Sequence, residues 1–276
     1  MRTQLVILFL TISSFCQSQA DTIFTNQEKI VCNVKEVTED AVKYSYLNEQ
    51  LVITTYKNMI QKIVYSSGRV QTFSEMTSFK KVANVEDYEN VIMSQVEREV
   101  KGLYKLGDVS SKAIGVTIYA NQETVKKRAY RKLKIQAAMQ GANLIYLTNM
   151  KSDGYSGGGA IGGSKAAQTT LSGVAYNNVI PNSKEFKSII KDKMNFNSIL
   201  SYCLPSNAMD YKMEKKNKLF KLFKIIDESG FIQLEGELEG FKKLNKFRVV
   251  NFTNSYFDVY FEYKAAVYNF RISFDN

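Results

Sequence analysis

The stretch YFDVYFEY, residues 256–263, carries the clearest fold signal in the chain. Apolar residues occupy every second position of its centre, namely Phe257, Val259 and Phe261. The positions between and beside them are more polar: Tyr256, Asp258, Tyr260 and Glu262. A period of two residues is typical of an antiparallel strand with one buried face and one wetter face. We therefore expect residues 256–263 to form one strand of an antiparallel sheet.

Similar runs flank this stretch in the last third of the chain. Upstream, Asn182 is placed to cap a helix, with Glu185 completing a capping box and Phe186 on the apolar face. These patterns predict a domain of one helix and an antiparallel β-sheet over residues 181–276. Its other predicted strands cover residues 219–226, 231–238, 247–252 and 266–274.

A single helix dominates the middle of the chain. Within residues 124–140, Val125, Ala129, Leu133 and Ala137 lie four positions apart, which is the spacing of one helix face. Gly141 then supplies the C-terminal cap. The order strand, helix, strand, strand predicts a small α/β domain over residues 100–180. The strands are predicted at residues 100–109, 113–119, 144–147 and 171–176.

Two short motifs of this middle segment carry a resemblance to known families. QAAMQGANLIY at residues 136–146 and LSGVA at residues 171–175 are similar to the small α/β domain of the YbjQ-like family and of bacterial envelope stress-sensor lipoproteins of the Rcs type. Some members of the first group are labelled heavy-metal-binding, and the second group senses envelope damage. The segment 100–180 has no cysteine or histidine, so we carry over no disulfide and no metal site.

The N-terminal part of the mature chain is predicted to form a series of short strands. Five strands in about fifty residues predict a small closed barrel over residues 21–75, because closure removes exposed sheet edges. KIVCNVKEV at residues 29–37 and KIVY at residues 62–65, followed by Gly68, resemble the SH3-like barrel at the start of many exported bacterial proteins. The strands are predicted at residues 30–37, 41–47, 51–56, 60–65 and 70–73.

A helical connection is predicted between these two domains, within residues 76–99. Val85, Tyr88, Val91 and Val96 recur at helical spacing among charged residues. Taken in order, the segments predict an α+β protein: a small β-barrel, a strand-helix-strand-strand domain, and an antiparallel β-sheet domain.

The first twenty residues have the pattern of a secretory signal peptide. An apolar run at residues 5–12 is followed by Ser18 and Ala20, the small residues that signal peptidase requires. Phe15 is too bulky for the position before an acylated cysteine, so we expect soluble processing and no lipid on Cys16. The protein is then exported to the periplasm, the outer membrane or the medium, and no later segment is predicted to span a membrane.

The charge of the chain indicates its partners. The formal net charge is +10, which favours an anionic envelope surface or another envelope protein as the partner. We expect no nucleic-acid partner, because the protein is predicted to be exported. Lys127, Arg131 and Lys134 lie on the outer face of the predicted middle helix and are our candidates for binding lipid head groups or lipopolysaccharide. The alternative is a solvated helix face.

Two further patterns are compatible with chemistry. Gly157, Gly159 and Gly162 match a dinucleotide-binding spacing but do not follow a strand directly, so a loop is favoured. Glu235, Glu237 and Glu239 would project from one strand face about 7 Å apart, which suits a carboxylate-type hydrolase or a hard cation, or a solvated face.

The two cysteines of the mature chain leave two alternatives open. Cys32 and Cys203 both stand among apolar residues, which favours two separate buried thiols over a bridge. The chain has no histidine, and we assign no catalytic, cofactor-binding or metal-binding residue.

The functional prediction is a non-enzymatic, exported cell-envelope binding or scaffold protein. The first alternative is a ligand-binding or envelope-stress-sensing protein with an aromatic pocket in the last domain. The second alternative is the carboxylate-type hydrolase.

Export makes a direct prediction about the mature N-terminus. Cleavage after Ala20 should leave Asp21 as the first residue, because Ser18 and Ala20 satisfy the peptidase. N-terminal sequencing of the protein from an envelope fraction checks this. Recovery of an intact Met1 form from the cytoplasm would contradict the export prediction.

Overall fold

A computed structural model describes residues 20–26, 28–73, 79–117, 120–154 and 165–275. Residues 1–19 of the predicted signal peptide, with Cys16, and the glycines of the 157–162 motif lie outside the described residues. The chain divides into two compact units. One comprises Met1–Thr55 with Ile60–Phe73, and the other Tyr56–Met59 with Ser74–Asn276.

The first unit is a six-stranded antiparallel sheet in the order β4-β3-β2-β1-β5-β6. Its core holds Ile23, Cys32, Val42 and Ile63. Five of the strands are those that the sequence predicts, and β1 is additional; closure into a barrel stays a prediction. The strands are β1 (Asp21–Thr25), β2 (Lys29–Val37), β3 (Ala41–Tyr46), β4 (Ile53–Tyr56), β5 (Ile60–Val64) and β6 (Val70–Thr72).

Asp21 holds β1 in place within this unit. Its carboxylate accepts hydrogen bonds from the Val34 amide at 2.9 Å and the Ser66 amide at 2.8 Å. Burial, assisted by the nearby Asp21 charge, raises the pKa of the Cys32 thiol to about 11. Cys32 and Cys203 are both free thiols; Cys32 is buried as predicted, whereas Cys203 is only partly buried.

The second unit begins with a four-stranded sheet in the order β7-β9-β10-β8. β7 runs parallel to β9, and the other pairs are antiparallel. The boundary predicted between residues 180 and 181 lies inside this unit. The strands are β7 (Ile92–Ser94), β8 (Tyr104–Ile114), β9 (Leu144–Asp153) and β10 (Gln168–Asn177).

Helix α1 (Gln122–Met139) packs on this sheet, and its prediction is confirmed. Val125, Ala129, Leu133 and Ala137 are buried in the core that it forms with the sheet. The Gly141 amide bonds to the Ala138 carbonyl and the Ala142 amide to the Ala137 carbonyl, the two bonds of a Schellman cap. Gly141 has a φ of +79°, which a side chain would disfavour.

The last strands close into an antiparallel barrel. Strands β11, β13, β14, β15, β16 and β17 each pair with two neighbours, because β11 joins β13 through residues 195–197 and β17 through residues 197–205. Short strand β12 adds to β11. The strands are β11 (Asn195–Pro205), β12 (Lys212–Glu214), β13 (Leu219–Glu228), β14 (Phe231–Leu238), β15 (Lys246–Phe252), β16 (Tyr256–Glu262) and β17 (Ala266–Ser273).

Aromatic side chains fill this barrel. Phe257 of strand β16 contacts Phe196 edge-on with ring centroids 5.4 Å apart, and it also contacts Phe220. Helix α2 (Ser183–Ile190) adds Phe186 to the same core. As predicted, Asn182 caps α2 by accepting bonds from two backbone amides. These side chains form the buried core cluster of the barrel.

The predicted α+β class is wrong, because the protein is nearly all-β. Strands make up 51% of the described residues and helices 16%. The predicted helical connection contains two short 3-10 helices, Val85–Asn90 and Glu97–Val100, with strand β7 between them. The apolar residues of this segment do not share one helix face: Val85 and Val91 are buried in the core and β7 completes the middle sheet, whereas Val96 is 53% exposed.

The barrel packs against the second side of α1. Ile135 and Met139 of the helix are buried together with Tyr202 and Leu204 of β11. Beyond the last helical turn, barrel side chains satisfy the free carbonyls: Asn269 donates to the Met139 carbonyl at 3.0 Å, and Arg248 to the Gln140 carbonyl at 3.3 Å. A cation at this end also suits the helix dipole.

A buried ion pair lies beside this junction. Arg271 donates two hydrogen bonds to the carboxylate of Asp258, at 2.8 and 3.0 Å, and a further bond to the Asn84 side chain. Asn251 donates to the Ala83 carbonyl at 3.2 Å. These bonds connect the outer face of the barrel with the segment that precedes β7.

The aromatic core gives the first structural prediction. Replacing Phe257 with alanine should destabilise the fold by about 3–5 kcal/mol, because it leaves a cavity in the barrel. Phe223→Ala is the control, since that ring is 58% exposed and its loss should change stability by about 0.5 kcal/mol or less. Urea unfolding of both variants checks this, and equal losses would contradict the assigned core.

The ion pair gives a second prediction. Asp258→Leu or Arg271→Met should each cost about 3–5 kcal/mol, because each leaves its partner buried and uncompensated. The double variant should lose much less than the sum of the two. A double-mutant cycle from urea unfolding measures this, and additive losses would show that the pair does not couple.

Candidate functional site

The three predicted helix cations lie on one side of α1, but two of them have partners within the protein. Arg131 forms an ion pair of 2.7 Å with Asp210 and lies over the Tyr88 ring. Lys134 is mostly covered and pairs with Glu89 at 3.4 Å. Lys127 is exposed. This face therefore presents less free positive charge than its sequence suggests.

The predicted carboxylates lie on β14 and in the turn after it, and they face basic neighbours. Glu237 is opposite Lys221, and Glu235 is opposite Lys224 on one side and Lys246 on the other. Opposite charges in cross-strand register stabilise a sheet. This arrangement fits a solvated strand face of alternating charge and does not bring Glu235 and Glu237 together.

A lysine-rich segment precedes and enters β13. Residues 212–224, KMEKKNKLFKLFK, contain six lysines and one glutamate, and we call this segment the basic strip. Glu214 is paired with Lys216. Lys215, Lys221 and Lys224 are exposed, so the basic strip carries a strong local excess of positive charge.

Apolar side chains are exposed among these lysines. Phe220 and Leu222 point into the barrel, whereas Leu219 and Phe223 are exposed on the outer side of β13. Met213 is also exposed. Cationic and apolar groups exposed together are the composition of surfaces that bind at a membrane interface.

A cleft of about 800 Å³ lies beside the basic strip. Leu219, Leu238 and Leu244 contribute apolar surface to its lining. Five charged residues also line the cleft: Lys221, Lys242, Lys243, Glu237 and Glu239. The Glu239 carboxylate accepts a hydrogen bond from the Leu219 amide at 3.2 Å, which engages one of the two acidic groups.

Phe241 forms one wall of this cleft and also closes the barrel. Its ring meets Phe261 at a centroid distance of 5.0 Å and Phe270 at 5.5 Å, both nearly perpendicular. Lys218 lies over the Phe241 ring at 4.8 Å and donates to the Glu239 carbonyl at 3.3 Å. These contacts attach the loop after β14 to the start of β13, so the cleft is pre-formed.

The cleft and the basic strip together can bind an anionic amphiphile. Apolar surface accommodates hydrocarbon, while lysine side chains attract phosphate or carboxylate groups. Among the described residues, no cluster of three or more histidine, cysteine or acidic side chains is arranged to hold a metal ion.

Sequence reasoning missed this site for an identifiable reason. The alternation in residues 219–226 predicts a strand, and the lysines at its polar positions do not by themselves distinguish a binding surface from a solvated face. The cations of α1 recur at helical spacing, which predicts that they share one face. Which cations are free depends on Asp210 and Glu89, whose proximity to α1 only the fold reveals.

Comparisons with known proteins found no match among family models, curated proteins or solved structures. The two family resemblances therefore stay predictions. In the part of the chain that the structure describes, no helix is long and apolar enough to cross a membrane.

Proposed function

We propose that the protein is a non-enzymatic, exported cell-envelope binding protein that attaches to anionic envelope surfaces through the basic strip and its adjacent cleft. The observation that carries this proposal is the exposure of Leu219 and Phe223 among the lysines of β13. Charge alone would fit a solvated surface. Exposed apolar side chains within the charged area favour contact with lipid.

The strength of such an attachment follows from the number of free lysines. Each basic side chain near an anionic membrane contributes about 1 kcal/mol, and salt screens the attraction. Lys221 and Lys224 lie opposite Glu237 and Glu235 in the sheet register, but among the described residues neither lysine forms an ion pair within 4 Å. Together with Lys215 they are exposed, so three lysines of the basic strip supply enough energy for salt-sensitive binding. The original candidates on α1 supply less, because Arg131 and Lys134 already pair with acidic residues.

A matched pair of variants tests which surface binds. Lys215→Gln, Lys221→Gln and Lys224→Gln together should weaken binding to phosphatidylglycerol vesicles about a hundredfold at low salt. The control, Lys127→Gln, Arg131→Gln and Lys134→Gln, removes the same charge and should weaken binding less than about tenfold. Sedimentation with vesicles, with phosphatidylcholine vesicles as the neutral reference, measures both.

Two outcomes would contradict the proposal. Failure of the wild-type protein to sediment with anionic vesicles at low ionic strength would remove surface attachment altogether. A larger loss in the helix variant than in the strip variant would return the site to Lys127, Arg131 and Lys134. Phe223→Ser should weaken binding without changing net charge, which separates lipid contact from simple attraction.

A further inference from the structure

A second cleft, of about 510 Å³, lies where the middle sheet and α1 meet the barrel. Its volume falls within the range of small-molecule sites. The walls come from β8, α1 and β10 on one side, and from the end of β11 and the turn between β16 and β17 on the other. Ligand sites commonly occupy such junctions.

Lys132 of α1 is the unusual residue in this cleft. Its side chain points to the barrel side of the helix and the residue is only 6% exposed. Its ammonium donates one hydrogen bond, to the Ser206 carbonyl at 2.5 Å. Among the described residues no carboxylate pairs with Lys132, although an ammonium has three N–H donors.

This environment is costly for a charged lysine. Burial lowers the pKa of Lys132 below its ordinary value. A buried cation without a counter-charge is destabilising, and an anion bound at the ammonium would offset that cost. The packing of α1 between the sheet and the barrel holds Lys132 in this position, since its neighbours Leu133 and Ile135 are fully buried.

The remaining charged and hydroxyl groups of the cleft suit the same kind of ligand. Lys112 and Lys264 line the cleft and are exposed. Ser110 and Thr170 bring hydroxyl groups. Glu262 also lines the cleft, but its carboxylate accepts a hydrogen bond from the Tyr260 hydroxyl at 2.5 Å. The cleft therefore has an excess of positive charge and of hydrogen-bond donors.

We propose that this cleft is a binding site for a small oxyanion ligand, a phosphorylated or carboxylated metabolite, with Lys132 as the buried cation and Lys112 and Lys264 at the rim. The site is separate from the basic strip and does not depend on the function proposed above. A protein with both sites would bind a soluble anion and an anionic surface through different residues.

Calorimetric titration with inorganic phosphate and with citrate tests this site in the full mature chain. Lys132→Met keeps the apolar stem and removes the charge, and it should weaken binding of the preferred anion about tenfold to a hundredfold. Lys127→Met is the matched control on the same helix, outside the cleft lining, and should bind as the wild type does. A preference for phosphate or for citrate distinguishes the two ligand classes.

A rim variant keeps the test valid if Lys132→Met affects folding. Lys112 is exposed, so the Lys112→Gln variant should fold normally. It should weaken binding of the same anion several-fold, and the loss should depend on salt concentration. Binding of neither anion to the wild-type protein at millimolar concentration would overturn the proposal. Equal affinity of the wild type, Lys132→Met and Lys112→Gln would overturn it as well, whatever the vesicle experiments show.

Discussion

The burial of helix α1 on two sides is the constraint on which the second unit depends. One side of the helix packs on the four-stranded sheet through Ala129 and Leu133, and the other packs on the barrel through Ile135 and Met139. Its C-terminal carbonyls are then out of reach of water. Asn269 and Arg248 of the barrel satisfy them, so the helix end and the barrel surface require each other.

This packing determines which charges are available for function. It covers Lys132 and places Glu89 and Asp210 beside Lys134 and Arg131, whereas Lys215, Lys221 and Lys224 of the basic strip stay exposed. The same junction forms the cleft that Lys132 lines. The two proposed binding sites therefore differ in character: one is an exposed mixture of lysine and apolar side chains, and the other is a concave site around a buried cation.

Local patterns predicted much of the secondary structure but little of the packing. Helix α1, helix α2 and most barrel strands follow from spacing and caps. Strand β11 was missed because a bulge between Ser198 and Leu200 shifts its alternation, and Ser198 is buried with its hydroxyl bonded to the Lys216 carbonyl. The alternation in residues 256–263 predicts that Asp258 faces solvent, but its carboxylate is buried because it accepts hydrogen bonds from Arg271. The partner of each such group is distant in sequence, so no local pattern identifies it.

Native-state hydrogen exchange tests most directly whether the middle sheet and the barrel form one cooperative structure. Amides in the second half of α1 and amides in β16 and β17 should exchange with the same free energy and the same dependence on denaturant, because opening the helix exposes the barrel surface that caps it. Exchange of α1 through a separate opening of much lower free energy, while the barrel strands stay protected, would contradict this account.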